Sequence, residues 1–508
     1  MVKSYQNFIN NEWVAPSTKD YYDVVNPASQ AVIARAAKSG VEDAKKAIDA
    51  ARAAFDNGEW PEMTPAERGS FLWKLADSFE KETPRFAKLE SLNVGKTIKY
   101  ARDSDMPFIA DNLRYFAGAA RMLAGLASME YVDFHGKRHH KGLGTSILRR
   151  EPIGVCAGIV PWNYPLYIAC WKFAPALAAG NSIVLKPASL TPLTLLEFCE
   201  LVKKAGFPEG VFNVVTGPGE VIGAALAESP KVDMISLTGD VSTGKKIMQQ
   251  SSGSLKKVHL ELGGKAPLIV LEDADLDAVA EGACVGGYWN AGQDCTAVTR
   301  VYVPERLHDE LVGKMVDVTK RFKLGDPSKE STDEGPMVSE RQREKVEYYV
   351  ELARKEGAKI EVGGKRPTGK EFEKGWYYEP TILTNVKHRS RVCQEEIFGP
   401  VVAVFKYKAL EDAVKAANDV AYGLAASVWG KDITKCNYVA RKLDFGTVWV
   451  NEHGILTSET PHGGFKQSGY GKDLSLHALE EYTRTKHVYI DQTGLKRKPW
   501  HYVVYGRP

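Results

Sequence analysis

Short apolar, β-branched runs alternate with amphipathic helical stretches through most of the chain, and this alternation restricts the fold more than any other feature. IGVCAGIV (153–160), SIVLK (182–186), VFNVV (211–215) and DMISL (233–237) are separated by helix-like stretches at 165–179, 192–205 and 220–228. Strands buried on both faces read as unbroken apolar runs, and strand–helix–strand connections make neighbouring strands parallel. The pattern therefore predicts an α/β lobe built on a buried parallel sheet. A second series begins near Glu261, with PLIVL (267–271), RVYV (300–303), VVAVF (401–405) and TVWVN (447–451) interleaved with helical stretches at 339–356 and 409–418. Two Rossmann-like α/β lobes are the simplest account.

Local signals place helix starts. Ser39-Gly40-Val41-Glu42 reads as a capping box, Thr64-Pro65-Ala66-Glu67 adds proline at the first helical position, and Thr83-Pro84 reads as the start of a further helix. Residues 128–150 and 485–508 belong to neither series and read as extended segments. Exposed strand edges tend to pair with another chain, so these segments are candidates for a small oligomerisation sheet.

Composition narrows the function classes. With 67 Lys+Arg against 64 Asp+Glu, the formal charge of +3 argues against a nucleic-acid binder. Seven scattered cysteines with no CxxC pair fit reduced thiols in a cytoplasmic protein. No apolar stretch reaches the roughly 20 residues that span a bilayer, so no membrane partner is expected. His135, His139 and His140 stand among basic residues with no carboxylate or cysteine to complete a ligand set, so no metal site is expected. Lys496-Arg497-Lys498 reads as a solvated tail.

Four motifs could carry chemistry. Gly239-Asp240-Val241-Ser242-Thr243-Gly244-Lys245-Lys246 satisfies G-x4-G-K after an apolar strand, but a nucleotide-phosphate loop needs Ser or Thr where Lys246 stands. The same segment also suits an ordinary strand-to-helix turn, or a helix N-terminus facing a pyrophosphate. Asn290-Ala291-Gly292-Gln293-Asp294-Cys295 sets a cysteine after a small polar turn, whereas Cys156, Cys170, Cys199 and Cys284 lie in apolar or helical patterns. Glu261 ends an alternating strand before Gly263-Gly264, where it could act as a base, and Asn163 in PWNYP could donate to an oxyanion. Each of the last two is equally readable as an ordinary turn.

Together PWNYP, LKPAS, SLTGDVSTG, LELGGKAP, NAGQDC, EEIFGPVV and PHGGFKQSGYGK resemble the aldehyde dehydrogenase superfamily, in order, from about residue 7 to residue 490. Asn112–Arg121, GQDCTA and SGYGKDLSL resemble its aminoaldehyde branch, particularly 4-aminobutyraldehyde dehydrogenases, with betaine aldehyde dehydrogenases as near relatives. The resemblance implies the aldehyde dehydrogenase fold. Residues 1–127 with 150–260 would form the dinucleotide-binding domain, 261–477 the catalytic domain, and 128–149 with 478–508 the oligomerisation segments of a dimer or tetramer.

The resemblance also implies a mechanism. Cys295 would attack the aldehyde, Asn163 would hold the oxyanion, hydride would pass to NAD or NADP, and Glu261 would activate the water that hydrolyses the thioester. A base for water favours acid formation over acyl transfer to coenzyme A. Lys172, with Asp473, would belong to a proton path. Trp162, Lys186, Ser189, Gly239, Asp240, Gly244, Glu396 and Phe398 would bind the cofactor. Ser189 stands where many relatives carry a glutamate that repels a 2′-phosphate, so NADP should be tolerated. Asp240 replaces a usual serine, which is unfavourable beside phosphate unless it points away or meets Lys245 or Lys246. Asp105, Tyr164, Trp171, Trp289 and Glu452 would line an acidic, aromatic tunnel for a cationic ω-aminoaldehyde. The alternatives are a betaine aldehyde or broad-specificity aldehyde dehydrogenase, a Mg²⁺-dependent NTPase, or a binding protein that keeps the fold without turnover.

Overall fold

The computed structural model of the protein describes residues 2–123, 144–492, 494, 496–498 and 501–506. His135, His139 and His140 lie outside the described residues, as does most of the 128–149 segment. Two sheets organise the chain, as the alternation predicts. The first has eight strands in the order Gly469–Tyr470, Lys257–Leu262, Met234–Gly239, Val155–Ile159, Ser182–Lys186, Phe212–Val214, Asn7–Ile9 and Glu12–Val14. Its five central strands are parallel, and the edges are antiparallel. Val155–Ile159 and Ser182–Lys186 are buried along their whole length, which is why their sequences lack polar alternation.

The second sheet has seven strands, in the order Lys359–Val362, Thr381–Thr384, Val401–Tyr407, Val298–Pro304, Ala266–Val270, Ala425–Trp429 and Thr447–Val450. All its pairs are parallel except the one made by Lys359–Val362. Lys257–Leu262 crosses the expected 260/261 boundary, because this strand pairs with Met234–Gly239 through Gly239↔Leu262 before the chain leaves for the second sheet. The chain later returns: Gly469–Tyr470 pairs antiparallel with Leu260 and Glu261, so part of the 261–477 stretch closes the edge of the first sheet.

Helix starts differ from expectation in two places. The box at Val41–Asp56 is shifted by one residue: Gly40 is the cap, and the Asp43 carboxylate accepts its N–H at 2.9 Å. Ser39 instead donates to Asn7 Oδ1. Thr83-Pro84 starts no helix. Proline lies inside the single helix Pro65–Val94, where it leaves the Glu80 carbonyl without its usual N–H, and the Thr83 hydroxyl donates to that carbonyl at 2.9 Å instead. The cap at Thr64 is as read, with the hydroxyl accepting from Glu67 N.

Gly144–Pro152 and Thr483–Asp491 form a separate two-stranded antiparallel sheet, registered from Thr483↔Pro152 to Asp491↔Gly144. The two segments that belonged to neither helical series thus pair with each other. No helix among the described residues is long and apolar enough to cross a membrane.

Candidate active site

In the first sheet the strand order reverses direction at Val155–Ile159, which has Met234–Gly239 on one side and Ser182–Lys186 on the other. Ligands of open α/β sheets bind beyond the carboxyl ends of strands at such a switch point. Pro161, Trp162 and Asn163 follow one of these strand ends, and Gly239 and Asp240 close the other. All five line a cavity of about 670 Å³, with Glu261, Cys295, Lys345, Glu396 and Phe398 on its other walls.

Cys295 is delivered to this cavity by an unusual backbone. After the helix Leu276–Tyr288, Asn290, Ala291 and Gly292 adopt φ of 54°, 57° and 65°. Left-handed backbone costs roughly 1–2 kcal/mol per non-glycine residue, so the turn persists only where its surroundings enforce it. Gln293 does so by donating to Asn290 O at 3.0 Å and accepting from Val338 N at 2.9 Å, while Asn290 donates to Asn163 O at 3.1 Å. At Gly292 a Cβ would overlap the Gly399 main chain, and at Gly264 it would overlap the Cys295 carbonyl. Gly264 of LELGGK and Gly292 thus let the cysteine loop pack closely against the chain that follows Glu261. All seven cysteines are free thiols; six are buried and Cys295 is half-buried.

Glu261 is 1% exposed, and neither carboxylate oxygen has a hydrogen-bond partner. Burial, and then the nearby Asp473 charge, raise it to about 8. Burial also pushes the Cys295 thiol well up, with Asp294 and Glu261 adding to the shift. The resting pair is therefore a thiol beside a weakly acidic carboxyl, with Cys295 Sγ, Glu261 and His462 all within 4.8 Å of one another. Asn163 Nδ2 donates one N–H to Gln293 O at 2.9 Å, leaving the other for the cavity. Lys172 lines neither cavity. It is fully buried in a 2.6 Å ion pair with Asp473, whose other oxygen lies 3.6 Å from His259.

Among the cofactor candidates, Trp162 and Phe398 meet edge-on at 5.2 Å, and Glu396 accepts from Gly264 N at 2.9 Å. Burial raises Glu396 to about 7. The G-x4-G-K segment is a strand that enters the helix Val241–Ser251 through the single residue Asp240, so it forms no loop that could wrap a triphosphate. Asp240 turns back onto its own helix, accepting from Ser242 N at 2.7 Å and Ser242 Oγ at 2.5 Å. It does not meet Lys245, which donates to Gln467. Gly244 is buried against Leu262. Lys186 and Ser189 stand back from the cavity lining: the Lys186 amine donates to Pro187 O at 2.9 Å and is lowered to about 8 by burial, and Ser189 donates to Gly217 O at 3.0 Å.

A second cavity of about 260 Å³ also reaches Cys295. Cys295 and Ile168 line both. All five substrate candidates, Asp105, Tyr164, Trp171, Trp289 and Glu452, wall the smaller one. Trp289 stacks on Tyr100 with centroids 4.0 Å apart, and Tyr167 packs on both Tyr164 and Trp171. Asp105, expected as an acid of the tunnel, stands in its wall but in a fully buried ion pair with Lys96. The Lys96 ammonium in turn sits 3.8 Å over the Tyr164 ring.

The family model for the aldehyde dehydrogenase family matches residues 13–488. The chain belongs to the aldehyde dehydrogenase family. It is 46% identical over 483 residues to a betaine aldehyde dehydrogenase of Bacillus subtilis (strain 168), covering 95% of this chain and 96% of that one. It is 42% identical over 484 residues to an aldehyde dehydrogenase of Alternaria alternata, covering 95% and 94%. Its fold matches the structure of betaine aldehyde dehydrogenase from Staphylococcus aureus in complex with NAD+ at a TM-score of 0.94 and 40% identity, over 97% of this chain and 96% of that one.

This aldehyde dehydrogenase also brings to its site residues that the sequence analysis assigned no role. Asp294 lines the smaller cavity and accepts from the Tyr164 hydroxyl at 2.6 Å and from Thr296 N at 2.7 Å. Lys96 and Tyr167 carry no local motif. His462 was within reach, since it stands in PHGGFKQSGYGK beside the glycines, but only the fold shows that its ring enters the site.

Proposed function

We propose that this aldehyde dehydrogenase oxidises an aldehyde bearing a cationic nitrogen to its carboxylic acid, with NAD+ or NADP+ as hydride acceptor, and with betaine aldehyde ahead of 4-aminobutyraldehyde. The observation that carries the reading is the meeting of the two cavities at Cys295, one large, the other small and aromatic. A quaternary ammonium has no N–H to satisfy and is held by aromatic faces, which Tyr164, Tyr167, Trp171 and Trp289 supply. A primary ammonium brings three donors that need acceptors. Here Asp105 is already paired with Lys96 and Asp294 already accepts from Tyr164 and Thr296, which leaves Glu452, accepting from His453 N, as the one carboxylate of this wall for such donors. The betaine aldehyde dehydrogenases of Bacillus subtilis and Staphylococcus aureus support the same order of preference.

Cys295 is the nucleophile. Its thiol is held up by burial, so Glu261 must take its proton as the thiolate attacks the carbonyl carbon and a thiohemiacetal forms. The free N–H of Asn163 and the Cys295 main-chain N–H receive the oxyanion. Trp162, Lys186, Glu396 and Phe398, with the N-terminus of Val241–Ser251, suit a dinucleotide: the Lys186 ammonium is buried with one acceptor for its three protons. When bound, the dinucleotide supplies the hydride acceptor that converts the thiohemiacetal to a thioester. Glu261 passes the thiol's proton to solvent, then takes a proton from the water that attacks this thioester, and the acid leaves as the Cys295 thiolate takes that second proton back from Glu261. Lys172 and Asp473, a buried ion pair, set the field at Glu261.

Ser189 places no carboxylate beside the Gly217 turn to repel a 2′-phosphate, which supports use of both dinucleotides. The free thiols suit a reducing compartment such as the cytoplasm. The isolated two-stranded sheet Gly144–Pro152/Thr483–Asp491, too small to be stable by itself, supports a homo-oligomer of two or four chains. The test is kcat/KM for betaine aldehyde, 4-aminobutyraldehyde and hexanal with each dinucleotide. The expected order is betaine aldehyde, then 4-aminobutyraldehyde, then hexanal; hexanal first would overturn the cationic assignment.

A further inference from the structure

Three side chains with metal-ligating atoms converge where the two cavities meet. Cys295 Sγ, a carboxylate oxygen of Glu261 and a ring nitrogen of His462 all lie within 4.8 Å of one another, and His462 Nε2 is 3.8 Å from Glu261 Oε1. Glu261 and His462 are each 1% exposed, yet both carboxylate oxygens and both ring nitrogens are without a hydrogen-bond partner. Buried polar atoms are seldom left so, and two such side chains aimed at one thiol mark a place for a further ligand. The His462 ring is held in place by its main chain, which exchanges two 2.8 Å hydrogen bonds with Asp473, and by packing on Trp171 at 5.3 Å between centroids.

We propose that Cys295, Glu261 and His462 form a binding site for a thiophilic divalent cation, Zn²⁺ first among them, whose occupation holds the enzyme in a reversible inactive state. A thiolate with an imidazole selects Zn²⁺ over Mg²⁺ and Ca²⁺, which require oxygen ligands. Tetrahedral Zn²⁺ with bonds of about 2.0–2.3 Å sets its ligand atoms about 3.4–3.8 Å apart, so the three side chains need close by only about 1 Å. Charge favours the same ion: one thiolate and one carboxylate neutralise a dication, leaving no net charge in a buried site. Entry is open from both sides, since Cys295 lines both cavities, Glu261 the larger and His462 the smaller. Water completes the fourth position.

Binding forms one bond each to Sγ, a Glu261 oxygen and a His462 nitrogen. The Cys295 proton, and that of Glu261 where it is protonated, go to solvent, and no group changes oxidation state. The ion occupies both nucleophile and base, so turnover stops until a chelator removes it. This inactive state rests on the roles given to Cys295 and Glu261 above; the binding itself does not.

The experiment uses the full chain, stripped with chelator and free of aldehyde and dinucleotide. Zn²⁺ is titrated by equilibrium dialysis with metal analysis, and Co²⁺ by its thiolate charge-transfer absorption. The expected result is one ion per chain, no charge-transfer band in Cys295→Ala, and dissociation constants weakened by at least about tenfold in His462→Phe and Glu261→Gln, since even the loss of an outer partner to a ligand costs that much. Glu261→Gln, an isosteric change, carries the test if His462→Phe fails to fold. No stoichiometric ion, or an ion held equally by all three variants, would overturn the site. A chain that binds Zn²⁺ through these residues but oxidises no aldehyde would sink the proposed function alone. Turnover of aldehydes without Zn²⁺ binding would sink the site alone.

Discussion

The larger cavity takes a continuous part of its wall from strand ends and the turns that follow them, whereas the smaller one is walled by aromatic and charged side chains from distant parts of the chain. Pro161–Asn163, Gly239–Asp240 and Glu261–Gly263 reach the first directly from three neighbouring parallel strands. The second gathers Asp105, Tyr164, the turn from Trp289 to Asp294, and Glu452, four separate parts of the chain. A site made from strand ends is set by the sheet and suits a ligand whose shape does not vary. A site made from side chains can be retuned without touching the fold. Cys295, common to both, has to satisfy the two requirements together, and its left-handed turn is the local consequence.

That contrast can be broken most forcefully at the shared residue. Cys295→Ala should lower aldehyde oxidation roughly 10⁴-fold or more, in the range of nucleophile knock-outs, measured as NAD(P)H formation with every aldehyde alike. Glu261→Gln should cost roughly 10²–10⁴ in kcat. In the wild type, Glu261 is protonated below about 8 and becomes a base above it, so kcat should rise with pH through that value, and the Gln variant should lose the rise. Changes to one cavity should then separate the two. Trp289→Ala should raise KM for betaine aldehyde about fivefold, the ~1 kcal/mol of one cation–π contact, with a smaller change for hexanal and none for the dinucleotide. Ser189→Glu should do the reverse, raising KM for NADP+ roughly fivefold, as ~1 kcal/mol of like-charge repulsion at about 4 Å in water implies, with betaine aldehyde unaffected.

The same division explains what could be read before the fold was known. Strands such as SIVLK and the parallel order they imply were legible because burial on both faces leaves an unbroken apolar run. Glu261 and Asn163 were legible as candidates because glycine- and proline-bounded turns put them at strand ends, and Cys295 because a small polar turn precedes it. The charge state of the smaller cavity was not. Asp105 reads as a tunnel acid until Lys96 is seen beside it, and that partner sits across a helical bend that no periodicity predicts. Pro84 misled for a related reason: proline is a sound stop signal unless a neighbouring side chain serves the carbonyl it leaves bare, as Thr83 does here. The 30-residue helix that results ends at Val94, two residues before Lys96.

The account stands on covalent chemistry at Cys295, and peptide mass spectrometry of acid-quenched wild-type enzyme turning over betaine aldehyde with NAD+ tests it most directly. The predicted result is an acyl thioester on the peptide carrying Cys295, absent when NAD+ is omitted and absent from the six buried cysteines. NADH formation with no adduct on Cys295, or with the adduct on another residue, would contradict it.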